Sequence, residues 1–404
     1  MKKYIKYLPK LASPLMFVIY LLVYFLPRNK NIWVFGSGIG MNFSDNAKYL
    51  FLYCSNIDKM YSCWITRNRD LVKRLRLEGL NAHYKYSFKG LWYCIRAKIY
   101  IYDSRTGSIN HWTSSGALKV NLWHGSPLKT IDRDIDVKHN AFYIGNHTWG
   151  YKRFLVRILM PQWFVVADLM IATSAKVKGY FTSAFGSKKI KVTGYPRNDI
   201  ILSSGLYTKH LKFESEIIDT FNTKNIILYA PTFRDSDRHE RVTPIDWVVL
   251  NDLMRENDAT FLIKLHRHDY SVVLKQRYSN IRVLDNESDM YPLFSRVDLL
   301  ITDYSSIFFD FLLTGKPVLF FPYDKEKYIT RHRSMYDDYD SVTPGYKVYN
   351  FEDFRIKLID FFNNADLLKQ TAVDYNKIKK LYNLYNDSNS SKRVYAFIKD
   401  SLGI

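Results

Sequence analysis

The chain has 404 residues, enough for two domains, and 47% of them are apolar, so sizeable buried cores are expected and disorder is not. Its 59 basic residues against 39 acidic ones give a formal charge of +20, which calls for an anionic partner or surface. There is no tandem repeat, no zinc-finger spacing and no RNA-binding aromatic signature, so nucleic acid is not expected as a partner.

Residues 11–26 carry no charge and are strongly apolar, with Lys2, Lys3, Lys6 and Lys10 before them and Arg28 and Lys30 after. The run falls short of the roughly 20 residues that a spanning helix needs. Phe25-Leu26-Pro27-Arg28 lacks the small residues of a signal-peptide cleavage site. The preferred reading is a membrane-associating helix over residues 1–30. It would lie in or dip into the inner leaflet, its lysines near anionic lipid, giving a peripheral or monotopic protein on the cytoplasmic face of the cell membrane. A spanning anchor and a buried core helix are the alternatives.

Short apolar runs then recur at the spacing of alternating strands and helices. Strands are expected at 31–36, 60–66, 99–103, 120–124, 169–173 and 190–193, with helices at 45–54, 70–78 and 88–96. A second series follows, with strands at 226–230, 261–266, 282–284, 299–302 and 318–321. Its helices are expected at 245–255, 290–296, 306–313, 351–363 and 367–381. Two such runs predict an α/β chain of two Rossmann-like parallel-sheet domains, 31–205 and 206–404, with the boundary near 201–224. Cys54, Cys63 and Cys94 fit neither a zinc ribbon nor a disulfide framework, and Cys63 alternates within a strand-like run and belongs in the core. Gly36-Ser37-Gly38-Ile39-Gly40 follows a strand but lacks the G-x-G-x-x-G spacing, so it reads as a flexible loop and not as a dinucleotide site. No G-x-x-x-x-G-K-[ST] loop is present.

Two strand ends carry the chemistry. Trp123-His124-Gly125-Ser126-Pro127-Leu128-Lys129 follows the apolar run 117–122, and ligands in open α/β sheets bind beyond the carboxyl ends of strands. A histidine there can move a proton near neutral pH, against the alternative of a satisfied histidine beside a turn. Ile301-Thr302-Asp303-Tyr304-Ser305-Ser306 is a strand-to-helix turn with hydroxyls at the helix start. Such a turn can bind phosphate, and the serines can equally cap the helix.

At these segments the chain resembles the CDP-glycerol glycerophosphotransferase family of teichoic acid synthesis. The likeness runs over residues 30 to 360. It continues in Asp45-Asn46-Ala47-Lys48-Tyr49-Leu50, Trp64-Ile65-Thr66, Gly194-Tyr195-Pro196-Arg197-Asn198-Asp199, Tyr229-Ala230-Pro231-Thr232-Phe233-Arg234, Lys264-Leu265-His266, Lys316-Pro317 and Pro322-Tyr323-Asp324, in order and approximate spacing. The resemblance implies a glycosyltransferase B-type architecture whose interdomain cleft holds the reactants. It implies transfer of glycerol phosphate from CDP-glycerol to a hydroxyl of a lipid-linked saccharide or polyol phosphate acceptor, with release of CMP. His124 and His266 are then the catalytic pair, although Arg267 stands where the family usually has proline. Gly125, Ser126, Pro127, Leu128, Arg197, Pro231, Thr232, Arg234, Lys264, Leu265, Ser305, Ser306 and Asp310 are the expected substrate-binding residues, and Asp303 is an alternative brace of its turn. No cofactor and no protein-bound metal are expected, since guanidinium and ammonium groups can neutralise the phosphates. CDP-ribitol as donor, a sugar-nucleotide glycosyltransferase on the same frame, and a basic membrane-associated binding protein remain open. The chain's length favours a primase over a large processive polymerase, with a capsule-type polymerase still open.

Overall fold

The computed structural model describes residues 13–57, 60–137, 141–147, 149–203, 222–232, 244–264, 278–285, 289–331, 334–371 and 373–403. The chain divides into two compact units: Met1–His124, Thr130–Asp199 and Asp387–Ile404 form one, and Gly125–Lys129 with Ile200–Asn386 form the other.

The first unit is built on seven strands: β1 (Asn29–Gly36), β2 (Tyr61–Thr66), β3 (Ala82–Tyr84), β4 (Ala97–Tyr102), β5 (Leu118–Asn121), β6 (Leu169–Ala172) and β7 (Lys189–Val192). Their order is β3-β2-β1-β4-β5-β6-β7, and every pair is parallel. The last five residues of both β1 and β2 are buried, because helices cover both faces of a parallel sheet. Its helices include α1 (Ser13–Tyr24), α2 (Asp45–Ser55), α3 (Arg69–Leu77), α4 (Phe88–Arg96), α5 (Ala141–His147), α6 (Tyr151–Leu159) and α7 (Ala175–Phe185). Asn68 and Ser174 cap α3 and α7 through their side-chain oxygens. All three cysteines are free and buried.

The second unit has six strands: β8 (Asn225–Tyr229), β9 (Ala259–Ile263), β10 (Ile281–Val283), β11 (Leu299–Thr302), β12 (Val318–Phe320) and β13 (Tyr346–Lys347). Their order is β10-β9-β8-β11-β12-β13, again all parallel. Its helices include α8 (Trp247–Glu256), α9 (Ile307–Phe311), α10 (Phe351–Asn363) and α11 (Tyr375–Tyr382). Phe261, Leu299, Ile301, Phe321, Phe354 and Leu358 are fully buried in its core.

Several expectations change. The C-terminal helix α12 (Ser390–Leu402) belongs to the first unit, not to a 206–404 domain. It packs on α2, Asp199 accepts from the Ser390 and Ser391 amides at 2.8 Å each, and Arg393 Nε donates to the Thr193 carbonyl at 2.7 Å. The expected helix 290–296 is a 3-10 turn, Tyr291–Ser295, with Pro292 in its first turn. The expected helix 367–381 is two pieces, because Asp374 caps a new helix through the Asn376 and Lys377 amides. β3 and β13, three and two residues long, are too short to leave a pattern. The 36–40 loop is pinned: Gly38, Ile39 and Gly40 all have positive φ, Arg67 donates to the Ile39 carbonyl, and Thr66 Oγ1 donates to Gly40 at 2.9 Å.

Both sheets reverse their strand order once, between β1 and β4 and between β8 and β11. The crevice beyond the carboxyl ends at such a switch point is where open α/β sheets bind ligands.

Candidate active site

In the first unit β5, which pairs with the switch-point strand β4, ends at Asn121. Asn121 Oδ1 accepts from the Trp123 amide at 2.9 Å and tightens the turn. Trp123 takes φ 53°, a backbone conformation that bulky residues avoid. It is held there by burial, by an edge-on contact with Phe185 (centroids 4.6 Å apart), and by Asn46 Nδ2, which donates to its carbonyl at 2.8 Å. Gly125 follows at φ 151°, where only glycine is at ease.

This turn presents the His124 ring. His124 Nδ1 lies 3.0 Å from the Asp103 carbonyl oxygen. A carbonyl can only accept, so Nδ1 carries the hydrogen and the neutral ring keeps its lone pair on Nε2. Burial lowers the pKa of His124; the Asp45 carboxylate and the Asp103 carbonyl oppose that, and Arg197 and Arg105 reinforce it. The residue is exposed to solvent, which weakens that desolvation.

Arg197, Asp45, Asn46 and Asp103 form the bed beneath this turn. Arg197 is only 3% exposed; its Nη1 lies 2.6 Å from Asp45 Oδ1 and donates to the His124 carbonyl at 2.9 Å. Its amide donates to Asn46 Oδ1 at 3.2 Å. Asp103 Oδ1 accepts from the Ala47 amide at 2.9 Å, while Oδ2 is buried with no hydrogen-bond partner among the described residues. Burial, and then the nearby Asp45 charge, hold the Asp103 carboxyl well above the usual carboxylate range.

In the second unit the switch point brings the ends of β8 and β11 together. Asp303 Oδ1 accepts from the Thr232 amide at 2.8 Å and from the Tyr304 amide, and its carbonyl accepts from Tyr339 Oη at 3.0 Å. Asp303 is thus the brace of the turn and ties Pro231-Thr232 to it. Ser306 makes no side-chain cap bond to α9, and Ser305 and Ser306 are half-buried. Tyr304 stacks on Tyr328 with centroids 3.8 Å apart and donates to Asp324 at 3.1 Å. Asp310 is buried and accepts from Tyr291 Oη at 3.0 Å. Lys264 donates to the Asp285 carbonyl, and burial lowers its pKa to about 8. Ser126 and Leu128 are buried, Lys129 reaches the Tyr328 hydroxyl, and the Leu128 carbonyl accepts from the Tyr336 amide at 3.0 Å.

The structure therefore gathers His124 and Arg197 in one unit, and Pro231, Thr232, Ser305 and Ser306 in the other. Arg234, Leu265 and His266 lie outside the described residues. Asp45, Asn46 and Asp103 were not among the expected site residues. Their signal was topological: they follow β1 and β4, which flank the switch point beside β5. Among the described residues no three His, Cys, Asp or Glu side chains are grouped so as to hold a metal ion.

Residues 18–400 match the family model of the CDP-glycerol:poly(glycerophosphate) glycerophosphotransferases. The chain is 30% identical to a teichoic acid poly(glycerol phosphate) polymerase of Bacillus spizizenii, over 81% of this chain and 83% of that protein. It is 28% identical to a teichoic acid glycerol-phosphate transferase of Staphylococcus aureus, over 88% of each. It is also 30% identical to the teichoic acid ribitol-phosphate polymerase TarL of the same species, over 92% of this chain and 63% of that one. Among solved structures, the wall teichoic acid polymerase TagF shares the fold, with a TM-score of 0.76 at 22% identity, over 100% of this chain and 97% of that one. With its two doubly wound sheets and a match over nearly its whole length, the chain belongs to the CDP-glycerol:poly(glycerophosphate) glycerophosphotransferase family.

Proposed function

We propose that this chain moves glycerol phosphate from CDP-glycerol to a hydroxyl of a lipid-linked teichoic acid acceptor, with His124 as general base. The observation that carries the reading is the orientation of His124: Nδ1 is committed to the Asp103 carbonyl and Nε2 is left as the acceptor. In the proposed step the acceptor oxygen attacks the glycerol-bearing phosphorus while its proton passes to Nε2. The bond from that phosphorus to the CMP oxygen breaks, and CMP leaves with the electron pair. Arg197 holds the turn through the His124 carbonyl. Ser305, Ser306 and the Thr232 segment supply hydrogen-bond donors to the pyrophosphate oxygens. His266, Arg234 and Lys264 are the remaining proposed donor contacts, by family correspondence.

Purified protein given CDP-glycerol should release CMP only when a lipid-linked acceptor is present. The mass of the product gains one glycerol phosphate unit per turnover. CDP-ribitol run beside it tests the second reading, which the similarity to a ribitol-phosphate polymerase favours. UDP or UMP release from a sugar nucleotide instead would overturn both.

The proposal includes a peripheral position on the cytoplasmic face of the membrane. No helix among the described residues is long and apolar enough to cross a bilayer. Helix α1 turns Val23 into the protein and leaves Leu15, Val18 and Leu22 exposed, with Phe25 exposed just after it. Arg28 pins its end by donating to the carbonyls of Cys94, Ala97, Thr113 and Ser115. Deleting residues 1–28 should reduce flotation with anionic vesicles; unchanged flotation removes α1 as an anchor.

A further inference from the structure

The edge of the first sheet carries a groove that the transfer step does not use. β7 pairs with β6 on one side and with no described strand on the other. Between β7, α7 and α12 lies an open groove of about 440 Å³, lined by Lys178 of α7, Lys188 just before the strand, Lys189, Ile190 and Lys191 within it, and Phe397 of α12. That volume is in the range of small-molecule sites. All four lysines are exposed, and among the described residues none makes an ion pair or a side-chain hydrogen bond. Lys191 Nζ lies 5.3 Å from the centroid of the Phe397 ring. The groove is thus a concentration of positive charge with no carboxylate set against it, which suits an anion. Lysines on a sheet edge also ward off strand pairing, but that task needs neither Lys178 from a neighbouring helix nor a groove beside Phe397.

The spacing says what kind of anion. Lys189 and Lys191 alternate with the buried Ile190, so both project from one side of the strand. Alternate residues of a strand stand about 6.8 Å apart, which is about six backbone bonds of extended chain. A glycerol phosphate polymer joined through its primary hydroxyls also has about six bonds from one phosphorus to the next, so its charges recur at about 7 Å when it is extended. A ribitol phosphate polymer joined at its ends has a longer repeat and overshoots the pair. Position agrees with spacing. The carboxyl end of β7 leads through 193–196 to Arg197, whose Nη1 donates to the His124 carbonyl at 2.9 Å. The chain between Lys191 and Arg197 spans at most about 22 Å, or about three such repeats.

We propose that this groove binds the glycerol phosphate chain behind its growing end, with Lys189 and Lys191 on successive phosphates and Lys178 and Lys188 beside them. The proposal rests on the transferase reading above and deepens it. It adds a track for the product of earlier turnovers, and such a track has a purpose only where the enzyme extends a chain of several units.

The test uses the full-length Lys189→Gln/Lys191→Gln protein and two soluble acceptors on one carrier, bearing a single glycerol phosphate unit or about eight, the longer able to span both places. The wild type should show a lower KM for the longer acceptor. The double variant should raise that KM about fivefold, as for two exposed charge contacts, and leave the KM of the single-unit acceptor where it was. An equal rise with both acceptors, or no rise, overturns the site. Lys380→Gln, at an exposed lysine of the second unit, should change neither value. A matching change there would make the effect one of net charge and overturn the site. Binding is read apart from turnover by the fluorescence anisotropy of a labelled glycerol phosphate oligomer of the longer length, without CDP-glycerol. Its Kd should rise about fivefold in the double variant and depend less steeply on salt. A ribitol phosphate oligomer of equal charge should bind the wild type more weakly and lose less; equal loss makes the groove a general polyanion patch and overturns the match. Flotation on phosphatidylglycerol vesicles should be the same for both proteins, and a loss in the variant would make these lysines a membrane contact instead. If the wild type releases no CMP from CDP-glycerol with either acceptor, the transferase reading fails by itself, and the anisotropy still decides the groove.

Discussion

The turn after β5, one strand out from the switch point of its sheet, and the turn after β11, at the switch point of a similar parallel sheet, are built in opposite ways. At the first, polar groups are turned inward: Asn46, Arg197 and Asp103 are buried and committed to backbone or to one another around a strained Trp123. At the second, the Asp303 carboxylate does most of the bracing through the Thr232 and Tyr304 amides, and the Ser306 hydroxyl is left out of the cap. The difference follows from the tasks proposed for them. A proton-transfer group has to be aimed, because catalysis falls steeply with misplacement. A phosphate-binding turn has to keep its donors uncommitted, because each one used internally is lost to the ligand.

The comparison breaks first at His124. His124→Ala should lower kcat by about 10²–10⁴-fold with little change in the Kd of CDP-glycerol, measured by single-turnover CMP release and calorimetry. A fall in affinity equal to the fall in turnover would make His124 a donor-binding residue. Next comes the bed. Arg197→Met leaves the Asp45 carboxylate without its buried partner and should cost about 3–5 kcal/mol in denaturant unfolding. Adding Asp45→Asn should recover most of that stability while turnover stays low, because the His124 carbonyl still lacks its donor. Recovered turnover would show that Arg197 does not position the histidine.

Much of this arrangement was legible in the residues, and the gaps have identifiable causes. Runs such as Ile226 to Tyr229 and Leu299 to Ile301 announce parallel strands because both faces are covered. The hydroxyls after β11 were visible for the same reason, standing directly after such a run. Arg197 was visible as a cation, but not its burial against Asp45, a contact across 152 positions that no local pattern encodes. The return of α12 to the first unit likewise depends on Asp199 receiving two amides from 191 and 192 residues away. The cap at Asp374 was a local signal overridden in reading by the apolar pattern on either side of it.

The second turn gives a smaller effect than the first bed. Ser305→Ala and Ser306→Ala should each raise the Kd of CDP-glycerol about tenfold, with unfolding free energy within about 0.5 kcal/mol of wild type. Stability is spared because Ser306 does not cap α9 through its side chain. A stability loss near 1 kcal/mol with unchanged affinity would instead make these serines structural.

The finest distinction is the acid limb of the pH profile. Burial lowers the pKa of His124 from its ordinary 6.5. With the neutral ring as the proposed base, kcat/KM should hold as pH drops through 6.5 and fall only at lower pH, as Nε2 takes up a proton. The two turns differ here as well, since hydroxyls do not titrate in this range: Ser305→Ala should leave the limb where it is. Asp45 raises the pKa of His124 and Arg105 lowers it. Asp45→Asn should therefore move the limb to lower pH, and Arg105→Gln to higher pH. Opposite movement of the two variants is a signature that simple loss of packing does not produce. Movement of both in one direction, or a limb above 6.5 in the wild type, would take the titrating group away from His124 and leave its ring as a ligand-positioning residue alone.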